Sequence, residues 1–146
     1  MTHFNACVRV RRNLDLAIAT ATFTAIDFDT VVFDPLSMWS VVTPTRITIP
    51  FTGRYMIGAT GGWTANATGF REFILRVNNN AVPDPGVINH LAVAANQSVA
   101  QTVYTITQLN TNDFFELIAF QTSGIGISLR AIGVWSPVIF AQWLAQ

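Results

Sequence analysis

Few side chains in this sequence could do chemistry, and their spacing does not bring them together. Cys7 is the single cysteine, and His3 and His90 are the two histidines. A cysteine nucleophile needs a base within hydrogen-bond reach, and nothing in the spacing places either imidazole beside Cys7. An inert thiol is expected. No Gly-x-Ser-x-Gly elbow presents a serine, and there is no phosphate-binding loop or dinucleotide fingerprint. Gly58, Gly61 and Gly62 fall inside a strand pattern, where glycine marks a bulge or close backbone packing. Catalysis is not expected.

Binding chemistry has three candidates. Asp27, Asp29 and Asp34 could offer oxygen ligands to a hard cation such as calcium. Asp27 and Asp29 share a face at period two, and a solvated strand edge that discourages sheet-to-sheet pairing accounts for them without an ion, so no metal or cofactor is assigned. His90, in an expected loop from Val87 to Leu91, could touch a ligand or simply be solvated. Trp39, Trp63, Trp135 and Trp143 could line a sugar-binding surface, but Trp63 and Trp135 lie where they would fill a core or a subunit seam. Trp39 sits with Met38 and Pro35 in a loop from Asp34 to Thr45. It is expected to be the exposed aromatic, suited to docking on another protein.

The elements that must position these residues are strands. Ile47, Ile49 and Phe51 share one face of a first run, and Tyr55, Ile57, Ala59 and Trp63 share one face of a second. The Pro-Phe-Thr-Gly segment from Pro50 to Gly53 turns the chain between them. Similar runs span Asn5 to Arg11, Thr22 to Phe28, Val31 to Phe33, Arg71 to Val77, Ala92 to Ala94, Ser98 to Leu109, Phe114 to Gln121, Gly126 to Trp135 and Val138 to Leu144. Leu14 to Ala21 reads as irregular or extended. Turn residues punctuate the runs at Asp34-Pro35, Asn78 to Asn80, Pro83 to Gly86, Asn110 to Asp113 and Ser123-Gly124. The expectation is an all-β jelly-roll sandwich of about ten short antiparallel strands, one domain over residues 1–146.

Composition narrows the partners. The chain has eight arginines, no lysine, six aspartates and two glutamates, for a net charge of zero. Without basic excess there is little to attract a phosphate backbone, so nucleic acid is not an expected partner. Charged residues are 11% of the chain and apolar residues 51%, which is thin polar cover for a lone soluble protein. No apolar run reaches the length of a membrane span, so self-association or docking is expected instead. Arg9, Arg11 and Arg12 form the one local basic cluster. Arg9 and Arg11 fit the solvated face of a strand backed by Val8 and Val10, or a grip on an acidic partner surface. The amino-terminal residues lack the pattern of a secretory signal, and the free thiol suits a cytoplasmic assembly site, so glycans on the sequons at Asn66 and Asn96 are not expected.

Ala25-Ile26-Asp27-Phe28-Asp29, then Phe33-Asp34, then Ile47-Thr48-Ile49-Pro50-Phe51-Thr52-Gly53-Arg54-Tyr55 resemble the complement C1q globular-head family, part of the tumour-necrosis-factor-like jelly rolls. Arg71, Leu75, Val77, Asn78 and Asn79 are similar to that family's strand ending in an Asn-Gly turn, with Asn79 in place of glycine. Leu109 to Leu117 resembles the stretch in which leucine leads through a Gly-Asp turn into a long apolar strand, with Asn112 for the glycine. Asparagine reaches positive φ more readily than other non-glycine residues, so both departures keep the turn chemistry. Phe140 to Leu144 is similar to the closing strand.

The resemblance implies a homotrimer packed through aromatic and aliphatic faces, which would account for the shortage of charge. Stand-alone members resemble those of bacteria and tailed bacteriophages, and the expected role is a capsid decoration protein on the virion surface, partnered by a major capsid protein. A receptor-binding knob and a cellular ligand-binding trimer are the alternatives. On this view Arg9, Arg11, Arg12, Met38 and Trp39 would contact the partner, and Tyr55, Trp63, Phe115, Trp135 and Phe140 would pack the core or the trimer seam.

Overall fold

Alternation of apolar and polar residues sorts the described residues into twelve strands. They are β1 (Cys7–Arg11), β2 (Leu16–Ile18), β3 (Thr24–Ala25), β4 (Thr30–Phe33), β5 (Arg46–Thr48), β6 (Gly53–Trp63), β7 (Phe70–Val77), β8 (Val87–Ala92), β9 (Val99–Leu109), β10 (Phe114–Gln121), β11 (Ile127–Arg130) and β12 (Val138–Ala145). The computed structural model describes residues 6–80, 87–93 and 95–146. His3, the expected turn from Pro83 to Gly86 and the last residue of the expected strand from Ala92 to Ala94 lie outside them. Among the described residues the one helical segment is a 3-10 turn at Gly133–Trp135.

The strands form two antiparallel sheets. In the larger, seven-stranded one, β6 pairs along its whole length with β9 and on its other side with β12 and β11; β1 follows β12, and β4 forms the edge beside β1. In the five-stranded sheet, β10 pairs with β7 and, on its other side, with β3 and β5, while β8 pairs with β7. Between the sheets lies a closed apolar core in which Val8, Val10, Ile47, Ile49, Ile57, Phe73, Leu117 and Ile139 are sealed from solvent. The jelly-roll expectation is met.

Several local expectations are corrected by long-range pairing. The run before Pro50 and the run after Gly53 do not pair with each other: β5 joins β10 in one sheet and β6 joins β9 and β12 in the other. The turn between them is therefore an arch across the core. It is tied down by the Tyr55 hydroxyl, which donates to the Phe51 carbonyl at 2.8 Å. The run from Thr22 to Phe28 pairs as a strand only at Thr24–Ala25, because Phe28 donates to Pro44 and the chain then crosses to the other sheet. Within Leu14 to Ala21 the extended reading holds, since Leu16–Ile18 is a strand paired with β11. The expected loop at Val87 to Leu91 is strand β8, and the run from Gly126 to Trp135 ends as a strand at Arg130, before Gly133 turns at φ +55°. The asparagine turns behave as expected, with φ of 51° at Asn78, 59° at Asn79 and 71° at Asn112.

Burial pushes the Tyr55 hydroxyl up to a pKa of about 12 from 10.0. Because the folded value lies above the unfolded one, this group's contribution to stability is complete below pH 10 and is lost as pH rises toward 12. Denaturant titrations at pH 9 and pH 11.5 should show that loss in the native protein and a smaller one in Tyr55→Phe.

Candidate functional site

The surface that departs most from an ordinary solvated sheet is the outer face of the seven-stranded sheet. Strand register lays it out in three rows. Ile106, Met56, Gln142 and Cys7 form one, Tyr104, Gly58, Phe140 and Arg9 the next, and Thr102, Thr60, Val138 and Arg11 the third. Phe33 of β4 extends the middle row beyond Arg9. Tyr104 and Ile106 are 65% and 61% exposed, large for side chains in mid-strand positions. Among the charges of this face, Arg54 and Arg11 lie near the ends of their strands and Arg9 stands in the middle row between Phe140 and Phe33, so the part around Tyr104, Ile106, Met56 and Phe140 is uncharged.

Glycines shape the face. A Cβ at Gly58 would collide with the Phe140 ring and come within 2.9 Å of Tyr104 Cβ, so glycine lets both aromatics lie over the sheet. At Gly62 the same collision would be with Trp135, which also receives the Arg130 guanidinium 5.6 Å from its ring centre. Gly61 gives way to Phe73 on the core side. The β6–β9 register runs without a break, so these glycines mark close packing and no bulge. A shallow depression of about 380 Å³ opens among Arg9, Phe33, Met56, Val138 and Phe140.

Residues singled out from the sequence are dispersed. Phe140, Arg9 and Arg11 belong to the face, the arginines backed by buried Val8 and Val10. Arg12 is no free contact: its guanidinium is 2.7 Å from Asp27 and donates to the Leu14 carbonyl at 2.6 Å, binding two loops together. Met38 is core, 2% exposed, and Trp39 is half-buried with its indole N–H on the Pro44 carbonyl. The cause is Asp34, whose carboxylate accepts the amides of Met38 and Trp39 at 2.8 and 2.9 Å and turns both side chains inward. Val41 and Val42, at 76% and 84% exposure, stand at the tip instead. Tyr55, Trp63 and Phe115 are core residues and Trp135 is half-buried over Gly62. Asp27, Asp29 and Asp34 face separate partners, Asp29 accepting from the Asn13 amide, and no cluster able to hold a metal forms among the described residues. His90 sits on β8 against Glu72, 2.8 Å away, and Phe70.

Sequence reasoning missed a buried polar staple beneath this face. Gln101 of β9 accepts the Trp63 indole N–H at 2.6 Å and donates to the carbonyls of Arg71 and Asn89 in the other sheet at 3.0 and 3.1 Å. Arg71, also sealed from solvent, donates to the carbonyls of Asn66, Thr68 and Phe70, and burial lowers its pKa from the ordinary arginine value. A signal exists in the parity: Arg71 alternates with Phe73, Leu75 and Val77, and Gln101 with Val103. The signal for the face is similar, since β9 is apolar on both parities near Val103, Tyr104 and Ile106.

No protein-family model matches the sequence, and neither does any curated protein. Solved structures do match in fold. The globular domain of zebrafish complement 1qA protein superposes with a TM-score of 0.70 over 97% of this chain and 99% of that one, at 12% identity. Two crystal structures of murine APRIL, at pH 5.0 and pH 8.0, give TM-scores of 0.65 and 0.64 at 8% identity, over 93% of this chain and 97% of theirs. At such identities the likeness is one of architecture. The chain has the C1q and tumour-necrosis-factor-like jelly-roll fold.

Proposed function

We propose that this protein is a homotrimeric assembly module rather than an enzyme, with the outer face of the seven-stranded sheet as its seam, and that the trimer is a decoration protein of a virion shell. The observation that carries the trimer is the uncharged part of that face, where Tyr104 and Ile106 stand exposed beside Phe140 and Met56. Its burial accounts for a chain that is only 11% charged. The mechanism is mechanical: trimerisation closes the seam, and the remaining surface bridges major capsid subunits on a shell assembled in the host cytoplasm. Arg9 and Arg11 on β1, and the exposed tip with Val41 and Val42, are the contacts proposed. A second reading, a cellular ligand-binding trimer, is favoured by the fold likeness to complement 1qA and APRIL.

Tyr104→Glu combined with Ile106→Glu places like charges on every copy of the seam. The double variant should sediment near 16.0 kDa with an unchanged circular dichroism spectrum. Function is read on particles: hundreds of copies per virion support decoration, a few trimers per virion favour a knob, and absence from virions favours the cellular reading.

A further inference from the structure

The outer face of the five-stranded sheet carries a second built feature. Register places Ile88, Ile74 and Ile118 in one row across β8, β7 and β10. The row is flanked on one side by His90, Glu72 and Phe120, and on the other by Arg76, Glu116 and Arg46. Ile74 and Ile118 are 7% and 3% exposed although they lie on the side of the sheet away from the core, so they form a recessed floor. Phe23, 63% exposed, makes one wall and is held by stacking on Phe120 at 4.4 Å between ring centres. Ile88 makes the other, and the groove encloses about 470 Å³. That is within the range of small-molecule sites, roughly 300 to 1,000 Å³.

Its charges select the ligand. Glu72 at one end is hydrogen-bonded to the His90 Nδ1 at 2.8 Å. At the other end two guanidiniums share one carboxylate: Arg76 lies 2.8 Å and Arg46 3.6 Å from the nearly sealed Glu116, whose Oε1 also accepts from Thr45 at 2.6 Å. The next carboxylate, Asp113, is taken up by Asn78 and the Asn110 amide. Arg76 lines the groove, and its Nε is buried with no acceptor. Two guanidiniums against one carboxylate leave this end locally positive, and the part of the Arg76 side chain that stays exposed can meet an anionic acceptor.

We infer that this groove binds a small amphipathic anion, with an aromatic or branched aliphatic body on the isoleucine floor against Phe23 and a carboxylate or sulfonate at Arg76. The Phe23 wall is held before binding by its stack on Phe120, and Arg76 by its pair with Glu116, so little ordering of these two side chains opposes it.

The test is fluorescence titration of the whole protein with 8-anilinonaphthalene-1-sulfonate, with neutral N-phenyl-1-naphthylamine as the comparison dye. Saturable, blue-shifted binding of both dyes at one site per chain is expected. Ile88→Glu should weaken sulfonate binding by about tenfold or more, since it sets a carboxylate against an apolar ring. Phe23→Ala should weaken both dyes, and Arg76→Gln the sulfonate alone. Phe23 and Ile88 are exposed enough for the variants to fold, which thermal melts verify. Val134→Glu, in the exposed turn after β11 of the opposite sheet, should change nothing. The inference is overturned by non-saturable binding, by full binding to Ile88→Glu, by loss in Val134→Glu, or by an Arg76→Gln effect equal for both dyes.

Discussion

Trp63→Ala should destabilise the protein by about 4 kcal/mol, the range found when a large buried aromatic is truncated in a packed core. Trp63 is sealed from solvent, with the Phe73 ring centre 5.6 Å away and the Arg71 guanidinium 6.0 Å from its ring. It also ends β6 where that strand pairs with β9 and β11 together, so the cavity would open at the join of three strands. Truncation leaves the Gln101 Oε1 without its 2.6 Å donor as well. Since domains of this size have only about 5 to 15 kcal/mol in hand, urea unfolding should show a large drop in midpoint. A loss under about 1 kcal/mol would mean that the indole is not packed as described.

Gln101→Leu should cost about 3 kcal/mol even though side-chain volume hardly changes. Glutamine at this position accepts from Trp63 in one sheet and donates to the Arg71 and Asn89 carbonyls of the other. Leucine would leave the Trp63 indole N–H buried without a partner, at about 1 to 3 kcal/mol, and would remove the hydrogen bonds to the Arg71 and Asn89 carbonyls as well. Combining it with Trp63→Phe removes donor and acceptor together, so the double variant should lose clearly less than the two single losses added. Additive losses would show that Gln101 acts by packing alone.

The core was legible in the sequence because it follows strand parity: Tyr55, Ile57, Ala59 and Trp63 are buried as their alternation requires. What parity does not contain is the partner of each strand. Nothing local to Arg46–Trp63 says that β5 pairs with residues 114–116 while β6 pairs across the other sheet, so the strand, turn and strand read from it do not reveal that the turn is an arch. Met38 and Trp39 were misplaced for a related reason, since a loop rich in apolar residues gains its inside and outside from one carboxylate, Asp34, folded onto two amides. Polar residues at core parity were the readable signal left unused. Arg71 and Gln101 look like strand interruptions until their carbonyl and indole partners, between 12 and 38 positions away for Gln101, are brought to them by the fold. The assembly face was legible only in part, because Phe140 stands out as an aromatic, whereas Gly58 acquires meaning from the rings that cross it.

The most direct test of the assembly reading is the mass of the native protein in solution. Sedimentation equilibrium across a broad concentration range should give three times the 16.0 kDa chain mass, with the Tyr104→Glu and Ile106→Glu double variant at one. A native protein that stays at 16.0 kDa throughout would contradict the account.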